Sequence, residues 1–334
     1  MKRINLEIQN KRKVVNYSLL LVVLAALFTL PAWGGAYTVM LVMYMSMYIT
    51  LGHMWNLLTG YAGLVSLGQQ MYIGVGGFTL AILSNNFGVP LIPGLVIGGL
   101  VSVAIAVGLS HLLLHMKGMY FSIATWMFAE AMMLILSGME YFGKGQGLFI
   151  IEARKLGPVE RYYYALVLVV LVMIVVVLVL RSKLGLGLFA IRDNDVSSET
   201  CGVPQFRSKL YCMMLSGFVT GVLGGVFYIS QVWVQPSAAF SIRWTVAAVF
   251  IVVIGGIGTI AGPVLGGIIY VYLSQYLATL DQIGSLNMVI LGVIAVAVIL
   301  LAPKGIIGTL QDKLNFEIIS VRRWSDRAAA RLKT

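Results

Sequence analysis

Few residues in this chain have the type and spacing to do chemistry, and nearly all of them point away from catalysis. His111 and His115 stand four apart and would share one helix face, which is half of what a metal ion needs. No cysteine or carboxylate lies at ligand spacing beside them, so hydrogen bonding at a membrane interface is the plainer reading. The run GMEYFGKG from Gly138 to Gly145 nearly spells a phosphate-binding loop. A Ser or Thr must follow the lysine to ligate magnesium, but Gly145 follows Lys144, and neither the preceding strand nor the following helix is legible. The chain is therefore expected to bind no ATP or magnesium itself. Cys201 and Cys212 are too few for a disulfide framework and read as free thiols. With only three histidines, no Ser-His-Asp arrangement suggests itself.

Glu130 is the exception. It stands deep in an apolar stretch, where a carboxylate costs several kcal/mol unless it is paired or protonated. It reads either as lining a solute path, where it could meet the ammonium of a zwitterion, or as a protonated or hydrogen-bonded residue at a helix–helix contact.

The elements that would carry these residues are membrane helices. The 334 residues are 60% hydrophobic and 10% charged, against about 25% charged in soluble domains. Apolar runs of about 20 residues recur along the chain, enough to cross the hydrocarbon of a bilayer. The expected fold is an all-α integral membrane protein with about ten crossings. The spans are placed near Val14–Pro31, Ala36–Leu58, Leu64–Ser84, Pro90–His115, Tyr120–Ser137, Tyr162–Leu180, Leu210–Val232, Trp244–Ile254, Pro263–Leu280 and Leu286–Leu301.

The net charge of +11 is a matter of topology rather than nucleic acid, since no single basic patch forms. Basic residues gather before the first span (Lys2, Arg3, Lys11, Arg12, Lys13), between Arg181 and Lys209, and after the last span from Lys304 to Lys333. Those segments are expected in the cytoplasm, with both termini. The setting is a multi-pass protein of a bacterial-type cytoplasmic (inner) membrane, its basic start an uncleaved signal-anchor. Gly138–Arg161 and Gln235–Ile242 would face outward, although the four basic residues of the first sit poorly there. Residues 1–308 form one transmembrane domain. Residues 309–334 form a basic tail in which Ile318, Val321, Trp324, Ala328 and Leu332 recur at helical steps, either as an interfacial helix on membrane lipid or as a frayed end.

Two features suggest movement. Gly68, Gly74, Gly76 and Gly77 crowd the third span, and Gly255, Gly256 and Gly258 separate two short apolar pieces. Such glycines allow close packing or a broken helix, so both groups are candidate hinges along a translocation path. The other feature is residues 181–209, a polar interruption between two spans. Within it Asp195 is expected to cap a short helix over Val196–Cys201, which Gly202 and Pro204 end. A capped helix held between spans is a rigid knob, suited to docking on a soluble motor protein.

Five blocks, in order, carry a family resemblance: GYAGLVSLGQ from Gly60; KGMYFSIAT from Lys117, with Glu130 following; GLFAIRDND from Gly187, running to Gly202; GGIGT from Gly255, with Gly262, Pro263 and Gly266; and Pro303-Lys304-Gly305 with Gly308. Together they resemble the permeases of high-affinity branched-chain amino-acid ABC transporters, of the second, later type. The resemblance implies two inverted-topology halves. It also implies a second homologous permease subunit, two ABC ATPase subunits that bind the ATP and magnesium, and an extracytoplasmic solute-binding protein. The ATPase would contact the region of Arg192, Asp193, Asp195, Glu199 and Gly202. The sequence departs from the family pattern at Leu64, in the outer loop at Tyr141–Gly145, and in a coupling helix poorer in alanine. The outer-loop departure bears on the solute or its binding protein: branched-chain amino acids lead by the resemblance, with other amino acids, urea and short amides open because related systems share these blocks. The competing classes are an ion-driven carrier or channel acting alone, for which the spans offer little beyond Glu130, and a membrane enzyme, for which they offer no convergent polar site.

Overall fold

The computed structural model of the chain describes residues 22–279, 286–302 and 305–314. The helices in order are α1 Val22–Trp33, α2 Ala36–Asn56, α3 Gln69–Phe87, α4 Leu91–Leu113, α5 Met119–Gly138, α6 Pro158–Arg181, α7 Lys183–Asp193 and α8 Asp195–Thr200. They continue with α9 Gln205–Gln231, the single turn α10 Pro236–Ala239, α11 Arg243–Gly255, α12 Gly262–Ala278, α13 Asn287–Leu301 and α14 Gly305–Leu314. α2 closes in a π-helical turn, Leu57–Tyr61. A two-residue ribbon pairs β1 (Leu148–Phe149) with β2 (Trp233–Val234) antiparallel. The tail's proposed amphipathic positions and the first part of the first span lie outside the described residues. The 308/309 boundary falls within α14.

Each long helix follows from an apolar run with a defined start or stop. α6 is largely valine and leucine, β-branched residues that are mediocre helix formers in water. In lipid the backbone has no other way to satisfy its polar groups. Pro158 occupies its first turn and the Glu160 carboxylate accepts the Gly157 N–H at 2.8 Å, which fixes its start. Among the described residues, five helical segments are long and apolar enough to cross a membrane: α4, α5, α6, α9, and the stretch Pro236–Gly255 that joins α10 to α11.

α9 is the central post. Of its most apolar stretch 72% is buried, against 28% for α5, which leaves α5 with a broad face that none of the described residues covers. α3 and α9 approach so closely that a methyl group on Gly76 would strike the Gly221 backbone, and one on Gly224 the backbone of Ile73. Of the two arrangements expected for these glycines this is close packing: α3 runs unbroken through Gly74, Gly76 and Gly77. Gly74 lies against the Phe240 ring and Gly77 against the Tyr228 ring. Gly68 lies just before α3, which begins at Gln69 rather than Leu64, and its missing side chain leaves room for the Thr125 carbonyl.

The connections sort into two ends. At one, the π turn and the segments near residues 65, 122, 192, 258 and 305 touch one another. At the other, the segments near residues 28, 85, 149, 163 and 233 meet.

Candidate functional site

At the first end, the expected knob is two helices rather than one. α7 was not anticipated. Leu188 and Ile191 bury one face of it, and Gly187 lets it approach Val203. Asn194, extended at φ −161° and ψ 113°, then caps α8, its side-chain oxygen accepting the Ser197 N–H at 3.1 Å. The expected cap, Asp195, is already the first helical residue, one position too late for the geometry a cap requires. Its carboxylate instead accepts two bonds from Lys209 Nζ, at 2.9 and 3.1 Å, which pins α8 to the start of α9. Gly202, left-handed at φ +78°, ends α8 and donates to the Glu199 carbonyl at 2.9 Å. Asp193, Ser197, Glu199, Thr200, Cys201 and Gly202 all face solvent.

Arg192 does something else. Its Nη1 donates to the Gly60 carbonyl, in the π turn, at 2.8 Å. Gly258 N–H donates to Asn56 Oδ1 at 2.8 Å, and Asn56 Nδ2 donates to the Thr259 carbonyl at 2.9 Å. The end of α2 is thus bonded both to α7 and to the break between α11 and α12. That break is an ordered turn. Gly256 (φ +128°) and Gly258 (φ +74°) take backbone conformations that L side chains rarely adopt. Thr259 Oγ1 accepts the Gly262 N–H at 3.0 Å, and Gly255 packs on the Gly262 backbone. Beside Arg192 an open cleft of about 260 Å³ is lined by Gly63, Asp193, Asn194, Asp195 and Lys209.

Glu130 lies midway along α5, half-buried, accepting the Trp126 indole N–H at 3.2 Å. The surrounding face (Ile123, Trp126, Met127, Leu134) is exposed, and among the described residues Glu130 has no ion-pair partner. It is deep along its helix, as expected, but on the helix's outward side.

The interior also holds polar groups that sequence reasoning passed over. Buried Gln69 spans to α9, donating to Ser216 Oγ at 3.3 Å and accepting from Thr220 Oγ1 at 3.1 Å. Its neighbour Gln70 accepts from Thr245 of α11. Adjacent glutamines in an apolar run were the available signal. His111 and His115 pack on each other and on Phe206. Among the described residues no group of three or more His, Cys, Asp or Glu could hold a metal ion.

At the opposite end the two segments expected to face outward become one surface. Leu148 pairs with Val234 and Phe149 with Trp233, and Asn85 reaches across from α3 to the Phe149 carbonyl at 2.6 Å. The basic residues that sat poorly in an outer loop are each matched locally. Lys144 pairs with Glu140, and Lys155 with Glu152 at 2.6 Å. Arg154 lies over the Phe149 ring at 4.9 Å, and Arg161 donates to the carbonyls of Ser230 (3.2 Å) and Ala153 (2.9 Å).

Against known proteins, a family model described as branched-chain amino acid transport system / permease component matches residues 37–299. The chain is 26% identical over 300 residues to the high-affinity branched-chain amino acid transport system permease protein LivM of Salmonella typhimurium, covering 81% of this chain and 70% of that one. Identity to LivM of Escherichia coli is 27% with the same coverage. A probable branched-chain amino acid transport permease protein, LivH of Methanocaldococcus jannaschii, is 31% identical over 140 residues, 40% of this chain and 44% of that one. No solved structure matches.

Proposed function

Because the chain belongs to the family of permease components of branched-chain amino acid transport systems, we propose that it carries branched-chain amino acids inward by alternating access, driven by separate ATPase subunits. The observation that carries the reading is the α7–α8 unit. It is a rigid, capped knob whose acids Asp193 and Glu199 face solvent, Asp193 beside the Arg192 guanidinium at 3.5 Å, while its base is bonded to the bundle through Arg192 and Lys209. That is the form of a part that receives force from outside and passes it inward.

In this reading Asp193, Glu199 and the turn at Gly202 meet the ATPase, which holds the ATP and magnesium. About ten crossings place α7 and α8 in the cytoplasm of an inner-membrane protein, and the joined outer loops receive a solute-binding protein. The uncovered face of α5 meets the second permease. Its physical basis is Glu130, because a carboxylate halfway along a span is costly against lipid and inexpensive against a polar partner or the ammonium of a passing amino acid. The break at Gly255–Gly258 is the hinge. Gly76 and Gly77 of α3 are the close-packed fulcrum against α9.

The deciding experiment is purification of the tagged chain in mild detergent with its natural operon expressed alongside. Near-equal amounts of an ATPase and a second permease, with solute-stimulated ATP hydrolysis on reconstitution, are expected. Uptake by the chain alone that follows a sodium or proton gradient would replace the importer with a carrier.

A further inference from the structure

We propose that Arg192 is a latch that transmits motion from the coupling knob to the α11–α12 break, rather than a contact with the ATPase. The proposal rests on the importer reading above and adds a route for the force.

The geometry is specific. The Gly60 carbonyl lies in the last turn of the α2 unit, where carbonyls lack partners within their own helix. The Arg192 guanidinium supplies a donor there at 2.8 Å, and its positive charge suits a helix C-terminus. Apolar contact reinforces the link, since Tyr61 of the π turn meets Phe189 of α7 edge-to-face at 5.6 Å. From Gly60 the connection passes directly to the break. A side chain on Gly60 would run into the Gly258 backbone, and Asn56, one turn earlier, grips both Gly258 N–H and the Thr259 carbonyl. Glycine at 60, 63 and 258 leaves the space these contacts need. At Gly63 a side chain would rest on the Arg192 backbone, and at Gly258 on its guanidinium.

Pushing α8 therefore moves α7, α7 moves the π turn, and the π turn moves the one break that joins α11 to α12. Glu199 faces solvent away from this route, whereas Asp193 pairs with the Arg192 guanidinium at 3.5 Å, so docking is assigned to α8 and transmission to Arg192. π turns within helices concentrate at such functional positions.

The test uses the complete importer in proteoliposomes with Arg192→Ala, Arg192→Lys, Asn56→Asp and the Arg192→Ala/Asn56→Asp pair. Asn56→Asp keeps the acceptor for Gly258 N–H and removes the donor to Thr259. The latch predicts that Arg192→Ala retains the ATPase subunits at the wild-type ratio and loses solute-stimulated hydrolysis about tenfold or more, the scale of one charge-assisted hydrogen bond. ATP consumed per solute moved should rise. Arg192→Lys, with one compact donor, should recover part of the coupling. Asn56→Asp should reproduce the defect, and the pair should be no worse than its worse member, because both cut one chain of contacts. Loss of the ATPase subunits from Arg192→Ala would make Arg192 a docking contact and overturn the latch. Full coupling with the subunits retained would overturn it equally. A wild-type complex with no ATPase would remove the importer reading itself, an outcome visible before any variant is compared.

Discussion

Glu130 and Trp126 form a small polar pair on an otherwise apolar stripe of α5. If the carboxylate meets a solute ammonium, Glu130→Gln keeps the shape and the Trp126 hydrogen bond but loses the charge. Charge-assisted bonds contribute roughly 1.5–3 kcal/mol, so the initial rate of amino-acid uptake in proteoliposomes should fall about tenfold or more while membrane insertion and assembly persist. Unchanged uptake would leave Glu130 a structural residue. Asn194 and Asp195 separate two roles that adjoin in sequence. Asn194→Ala removes the cap and should destabilise α8 locally by ~1 kcal/mol, which speeds hydrogen exchange in residues 197–201 about fivefold. Asp195→Ala keeps the cap and loses the Lys209 pair. That pair is half-exposed on the acid's side and worth less than about 1 kcal/mol, so α8 exchange should change less.

Among the elements, α3 and α9 set the tightest tolerance. Gly76→Leu must drive their backbones apart, and folded yield after detergent extraction should collapse. Gly108→Leu on α4, where nothing lies within 4 Å, is the matched control and should extract normally. Most of the helices could be read from the sequence because apolar runs of membrane length leave little alternative, and the two inner glycine groups and the solvent-facing knob were visible as composition. What the residues of those groups do was not. Glycine serves equally as a break or as a close contact, and only the neighbour decides: Gly76 meets Gly221, whereas Gly256 bends the chain. Asp195 and Asn194 are both good caps by type, so a single residue's backbone angle chose between them. α7 escaped notice because its apolar positions at Leu184, Leu188 and Ile191 lie among glycines and charges. Arg192 was assigned to the surface with its charged neighbours. Its partner Gly60 is 132 positions away, and no local pattern reports a bond to a backbone carbonyl at that distance.

For the molecule as a whole, the two ends are distinguishable by reagents because the chain has one thiol at the surface and one in the interior. Cys201 is exposed just after α8 and Cys212 is fully buried in α9. A membrane-impermeant maleimide should leave intact cells unlabelled and modify one cysteine, Cys201, in inside-out vesicles carrying the chain alone. A single cysteine introduced at Gln146, beside the outer ribbon, should give the reverse pattern. Labelling of Cys201 from outside would invert the topology. The bond from Asn56 Nδ2 to the Thr259 carbonyl also bears on biosynthesis. It joins positions 203 residues apart, so α2 cannot complete its C-terminal end until most of the polypeptide has left the ribosome. A nascent chain stalled before residue 259 would therefore hold its early hairpins in the bilayer with the Asn56 amide still unpaired. Quality-control proteases that inspect that side of the membrane would meet an unfinished surface there, and the arrival of one short turn would close it.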